Sequence, residues 1–303
     1  MPDRRGALHA LLAAALTLAG VPVQAASAGK PIPEPFSSGL LWRVSRPGMP
    51  ASHVFGTIHV ADPRVLLLPD AAQAAFEASR TFAMEIQLAQ QEASMFFEAA
   101  QFEDGRRLAP LIGDAAYADV LRTLSARGVA PEVIARLKPW AVLVNLTVTP
   151  ADYGSRTLDQ ELFAMARSRR MELHGLEGVD EQVAVFDSIP MDSQVALLHH
   201  ALVQRDYFVS RLEPTIQAWL RRDLAALWRV SEDIGRRFPE MAAHYALLTK
   251  RVVTDRSVVM AHRLFAPLRR GRSFVAVGAL HLYGRKGLLR LLQEQGHAVK
   301  RVY

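Results

Sequence analysis

Val54-Phe55-Gly56-Thr57-Ile58-His59, near one end of the chain, is matched near the other by Ala276-Val277-Gly278-Ala279-Leu280-His281. Each segment runs from an apolar, β-prone stretch through a glycine to a histidine three places on. Short runs of this kind read as strands buried in a sheet. In an α/β sheet the backbone leaves such strands at their carboxyl ends, which is where ligands usually gather. A glycine at that point permits a tight exit or a positive φ, aiming the following side chain back over the strand ends. The matched pair therefore predicts two strands of one sheet, with His59 and His281 over one crevice.

Outward from these segments the rest of the architecture follows. Leu40 to Val44 and Ser52 to Thr57 flank Arg46-Pro47-Gly48-Met49-Pro50, which reads as a β-hairpin. Pro69 opens a helix to about Ser79, and Arg80 to Ile86 forms a third strand. Residues 90–148 are helical in period, with Pro131 starting a helix over Glu132 to Val144, and a further helix covers Leu158 to Arg169. Met171 to Leu176 is a strand running into Glu177. Residues 192–267 are again helical, punctuated at Pro214, Gly235 and Pro239. Ser273 to Val277, an amphipathic helix from Gly284 to Gln295 and Ala298 to Tyr303 make a βαβ unit, whose two strands should run parallel. The fold class is thus mixed α/β, with a sheet built from both chain ends and a large helical insertion between them.

The chemistry that this pattern offers is metal-assisted. Glu85 and Glu177 each follow a predicted strand and emerge on the same sheet edge as the two histidines. Two imidazoles and one or two carboxylates suit Zn²⁺, Mn²⁺ or Co²⁺. A divalent metal on His59, Glu85 and His281 leaves open positions for water, whose pKa it lowers. Glu177 then serves as general base or fourth ligand, and Arg256 stabilises a developing oxyanion or pairs structurally with Asp255. His199 and His200 are adjacent on a helix and point apart; His174, His244, His262 and His297 are isolated. No His-Glu-x-x-His, Gly-x-Ser-x-Gly, Walker or Gly-x-Gly-x-x-Gly pattern is present.

Composition narrows the classes further. The chain has 303 residues, 50% hydrophobic and 22% charged, enough apolar material for a packed core and not the profile of a disordered chain. It has no cysteine, which excludes thiolate metal sites, a cysteine nucleophile and disulfides. Arg4 and Arg5, the apolar run Ala7 to Val23 and the small residues around Ala25 and Ala28 form a cleavable export signal, removed after either alanine. The run barely reaches the roughly 20 residues of a membrane span, and no later segment could cross a bilayer. Residues 1–25 are the signal and 29–303 the domain, which implies a periplasmic protein with no integral membrane segment after cleavage. The formal charge of +6 includes Arg4, Arg5 and Asp3, so the mature chain carries +5. Its basic clusters lack the interleaved aromatics of a nucleic-acid surface, and no nucleic-acid partner is expected.

Gly39 to Val44, Phe55 to Val60 and Phe274 to Leu282, with Gly284 and Gly287-Leu288, resemble the TraB/PrgY/GumN family, which includes the TIKI metalloproteases. The likeness extends to Glu85, Leu137-Lys138-Pro139-Trp140, Gly175-Leu176-Glu177 with Glu181-Gln182, and Asp255-Arg256 with Met260. The resemblance implies a metal-dependent hydrolase fold related to erythromycin esterases and haem-binding ChaN-like proteins, with the two motif histidines and a strand-end glutamate at the site. TIKI members are peptidases using Mn²⁺ or Co²⁺, and the TraB and PrgY branch limits peptide pheromone activity. Two positions depart from the family pattern: Ser257 follows Arg256 in place of asparagine, and Gly154 stands apart from Leu158-Asp159. The expected function is a periplasmic metal-dependent hydrolase acting on peptides or a small-molecule substrate. The alternative is a binding protein that sequesters a peptide or haem-like ligand in the same crevice without turnover.

Overall fold

A computed structural model describes residues 35–87, 89–147 and 155–303. The export-type segment 1–25 and Gly154 lie outside the described residues. The centre of the molecule is a six-stranded mixed sheet with the order β4-β3-β5-β2-β1-β6. Its strands are β1 (Leu41–Ser45), β2 (Ser52–Thr57), β3 (Thr81–Met84), β4 (Glu172–Gly175), β5 (Ser273–Gly278) and β6 (Ala298–Arg301). β1 and β2 form the expected hairpin, pairing antiparallel with Leu41 opposite Phe55. β2, β5, β3 and β4 run parallel, so their carboxyl ends share one edge. The mixed α/β architecture, with a sheet drawn from both chain ends and helices inserted between, is the one expected.

Burial along the strands follows their place in the sheet. All six residues of β5 are buried, as are all four of β3, whereas the edge strands β4 and β6 are largely exposed or half-buried. Continuous apolar runs are what a parallel strand covered on both faces requires. Phe76, from the helix Asp70–Glu77, packs edge-on against Phe82 of β3 and Phe274 of β5, with centroids 5.9 and 5.3 Å apart. Phe55 of β2 joins them at 5.9 Å from Phe274. Each of these fully buried rings contributes about 1.5–3 kcal/mol through the water it leaves, tying the helix to three parallel strands.

Three local expectations change. Ser273–Gly278 and Ala298–Arg301 do point the same way, but β2 and β1 lie between them, and β6 pairs antiparallel with β1. The helix between them therefore crosses over two strands rather than joining neighbours. The helix begun at Pro131 ends at Ile134 and a new one starts at Pro139, because a proline lacks the amide hydrogen and pushes the residue before it out of helical geometry. Pro214, in contrast, sits inside the continuous helix Arg205–Leu220. Its lost hydrogen bond is offset by the buried face Ile216 and Trp219, whose indole Nε1 donates to the Gly56 carbonyl at 2.9 Å. No helix of the described residues is long and apolar enough to cross a membrane.

Candidate metal centre

The register of β2 and β5 pairs Gly56 with Val277 and Thr57 with Gly278, so the two Gly-x-x-His segments leave the sheet side by side. Gly56 does not supply a left-handed turn; it supplies room. A Cβ there would lie 2.7 Å from Leu282 Cδ1 and 3.2 Å from the Ala279 Cα, inside the turn that carries His281. Gly278 likewise has an ordinary φ of −53°, and its N–H donates to Glu85 Oε1 at 2.7 Å. The glycine pattern thus reflects close approach between the two exits, not a positive φ.

His59 and His281 are each fixed at Nδ1. The His59 Nδ1–H donates to Asp159 Oδ2 at 2.8 Å, and Asp159 Oδ1 also accepts from Thr57 Oγ1 at 2.6 Å. Asp159 stands in the first turn of the helix Leu158–Ser168, held there by Gln160, whose Oε1 accepts from the Thr157 N–H at 2.9 Å. On the other side, His281 Nδ1 lies 2.9 Å from Ser257 Oγ. That hydroxyl donates to the Val253 carbonyl at 2.8 Å, so it accepts from the imidazole. In both rings the proton is thereby placed on Nδ1. Both Nε2 atoms are buried and have no hydrogen-bond partner.

Glu85 lies between these rings and a buried arginine. Its Oε1 is 3.7 Å from His281 Nε2, and its Oε2 accepts from an Arg256 terminal nitrogen at 2.7 Å. Burial alone would raise the Glu85 carboxyl, but the charges of His281, Arg256 and His59 and the Gly278 N–H outweigh it and hold it down to about 2. Burial lowers His281 to about 4, with Arg256 and His59 adding to the shift against the pull of Glu85. It is a neutral imidazole at neutral pH. Burial works the same way on His59, but the adjoining Asp159 carboxylate and Glu85 overcome it and raise its pKa.

Arg256 and Glu177 meet in the same place. The Arg256 Nε donates to both Glu177 oxygens at 3.0 and 2.9 Å, and a terminal nitrogen reaches Oε2 at 2.5 Å. The Arg256 and Glu177 side chains are each only 3% exposed. Asp255, weighed above as the partner of Arg256, bonds instead to Lys250 and Arg251. A general-base role for Glu177, or an oxyanion contact by Arg256, would require this pairing to open, because it occupies both groups. A widened π-type turn, Lys250–Asp255, leads into the helix Arg256–Arg263. Consecutive helical residues point about 100° apart, so Arg256 faces the two glutamates while Ser257 faces His281.

The donor chemistry fits a divalent cation: two buried imidazole nitrogens without partners, tautomers set from behind, beside an ionised carboxylate. As they stand, no three His, Asp or Glu side chains among the described residues are gathered at metal-holding spacing. The supporting residues Asp159, Ser257 and Thr57 were not singled out as site residues from sequence. Asp159 and Ser257 were visible only as family departures, and a polar residue at the start of a helix carries no signal of what it will face. Three of the other histidines find structural partners, His199 on the Ile112 carbonyl, His200 on Tyr245 and His244 on Ser193.

His59 lines a cavity of about 630 Å³ together with Thr57, Ile58, Val60, Gly278 to Leu280 and helices of the insertion, whereas Glu85, Glu177, Arg256 and His281 do not. The insertion therefore walls the crevice as well as covering the sheet.

The sequence profile of the TraB/PrgY/gumN family matches residues 40–301. The metalloprotease TIKI2 of Danio rerio is 24% identical over 322 residues, covering 89% of this chain and 62% of its own length, so the chain spans less than two thirds of that relative. The uncharacterized protein YbaP of Shigella flexneri is 23% identical over 257 residues, covering 82% of this chain and 90% of that protein. YbaP of Escherichia coli K12 is 27% identical over 173 residues, 55% of this chain and 60% of its own. No solved structure matches. With the profile spanning both Gly-x-x-His segments and nearly all of the sheet between them, the chain belongs to the TraB/PrgY/gumN family.

Proposed function

We propose that the protein is a metal-dependent hydrolase acting on peptide bonds, with His59, His281 and Glu85 as the groups that hold a divalent cation of the Mn²⁺, Co²⁺ or Zn²⁺ kind. The observation that carries this reading is the pair of buried, partnerless Nε2 atoms at the ends of adjacent parallel strands. Leaving them so costs stability, and a cation would relieve both at once. Such a cation, when bound, supplies Lewis-acid polarisation of a carbonyl and a water of lowered pKa. Asp159 and Ser257 orient the two rings and keep their Nε2 lone pairs toward the crevice. Arg256, braced by Glu177, keeps Glu85 ionised and in place. The similarity to a protein named as a metalloprotease supports the peptide substrate, and the export-type segment supports a periplasmic location.

The test is elemental analysis of protein purified without an affinity tag, coupled to a peptide-hydrolysis assay. Wild-type protein should retain or take up Mn²⁺, Co²⁺ or Zn²⁺ near one equivalent. His59→Ala combined with His281→Ala should lose both metal and turnover. Full metal occupancy in that double variant would end the proposal.

A further inference from the structure

The cavity wall has a chemistry that the hydrolase reading does not use. Its inner surface is apolar, formed by Leu143, Leu146, Phe208, Leu212, Leu227 and Val230 among others. Four arginines line it, Arg122, Arg127, Arg205 and Arg211, and no Asp or Glu does so among the described residues. Its volume of about 630 Å³ lies within the roughly 300–1,000 Å³ of small-molecule pockets. The floor is buried, with Thr57 at 0% and Ala279 at 2% exposure, whereas Arg122 and Arg205 are exposed at the outer end. Two of the four arginines are thus exposed, while most of the lining is apolar.

Two of the arginines are under-used. Arg205 makes one hydrogen bond, to the neutral Thr123 hydroxyl at 3.2 Å, and has no ion-pair partner among the described residues. Arg211 approaches Asp233 at 3.4 Å, yet its Nε is buried with no acceptor. Unspent donors beside an apolar cavity call for an anion attached to an apolar body. The lining side chains among the described residues offer no Asn, Gln, Asp or Glu, only hydroxyls and His59 beside the arginines. An acyl chain needs no hydrogen-bonding partner along its length and so suits the apolar part of the wall.

We infer that this cavity binds an anionic single-chain amphiphile, of which a long-chain fatty acid is the simplest form, with its carboxylate at the rim arginines and its chain extending toward the strand ends at His59. The inference rests on the wall and not on the histidines, so it stands whether or not the centre holds a metal.

The experiment is a fluorescence titration of full-length, EDTA-treated protein with cis-parinaric acid, followed by displacement. Saturable one-to-one binding and displacement by oleate are expected, with methyl oleate weaker by about tenfold or more because it lacks the charge. Arg205→Gln, at an exposed position, should weaken oleate binding about two- to fivefold. Val230→Trp should weaken it by narrowing the cavity, with circular dichroism reporting whether that variant folds; the ester comparison and Arg205→Gln decide the matter if it does not. Absence of saturable binding, equal affinity for oleate and its methyl ester, or displacement by an apolar heptapeptide but not by oleate would each overturn the inference. Metal content and peptide turnover, measured separately, report on the hydrolase proposal alone.

Discussion

Arg256→Leu removes the cation from a site where two carboxylates depend on it. In the native protein the guanidinium donates to both Glu177 oxygens, to Glu85 and to the Val252 carbonyl. Both ion-pair partners are nearly enclosed, with the Glu85 side chain 10% and the Glu177 side chain 3% exposed. Leucine refills much of the volume but leaves two buried charges with little to offset them. Breaking a buried pair from one side costs about 3–5 kcal/mol, which at about 2–4 °C per kcal/mol lowers the melting temperature by roughly 6–20 °C. Adding Glu177→Leu removes one stranded carboxylate, so the double variant should be more stable than Arg256→Leu alone.

The cost should also depend on pH in a defined direction. The folded Glu85 carboxyl is held at about 2, below its ordinary value of 4.5, so its ionised form stabilises the fold fully above 4.5 and progressively less as the pH falls toward 2. In Arg256→Leu the carboxyl loses one of the charges that hold it down and protonates earlier. The gap between variant and wild type should therefore be widest at pH 6–7 and narrow on acidification below 4.5. Denaturant unfolding followed by circular dichroism between pH 7 and pH 3 measures it. A gap of under about 1 kcal/mol at pH 7, well short of the cost of stranding buried charge, or one that does not shrink with acid, would refute the account of Arg256 as the brace of Glu85.

Two other perturbations probe the same centre. Asp159→Asn replaces the carboxylate behind His59 with an amide and should weaken divalent-metal uptake about 10- to 100-fold while leaving the fold intact; isothermal titration with Mn²⁺ or Zn²⁺ would show it, and unchanged affinity would mean that Asp159 does not orient the ring. Gly56→Ala forces a methyl against Leu282 and the Ala279 backbone and should cost about 1–3 kcal/mol by overpacking, read as a lowered urea midpoint; a neutral result would show that the two strand exits are not in firm contact.

How much of this was legible in the sequence differs by level. The two matched strand-to-histidine segments revealed a sheet made from distant parts of the chain, because apolar runs ending in glycine carry both strand and exit signals. That the two strands are direct neighbours was not legible from them and is a matter of the observed register. Nor was the order of the outer strands, since nothing in Ala298 to Arg301 distinguishes pairing with β5 from pairing with β1. Break points in the helical insertion were visible at Pro131, missed at Pro139, where a second helix starts, and misleading at Pro214, where tertiary packing around Trp219 overrides local preference. At the centre, His59, His281, Glu85, Glu177 and Arg256 were named in advance and do converge. The pairing of Arg256 with Glu177 and the backing of the rings by Asp159 and Ser257 depend on how helices approach the sheet edge, which periodicity does not encode.

The middle position of β5 in the sheet has a consequence for how the protein comes into being. During synthesis the hairpin Leu41–Thr57 and strand Thr81–Met84 emerge early, yet they have no common neighbour until Ser273–Gly278 follows. Until then the growing polypeptide holds unjoined pieces, and His59 has neither the second imidazole nor the Gly278 amide that anchors Glu85. Assembly of the crevice is thus deferred to a single late event, so a chain that stops short of β5 leaves His59 without the rest of its surroundings.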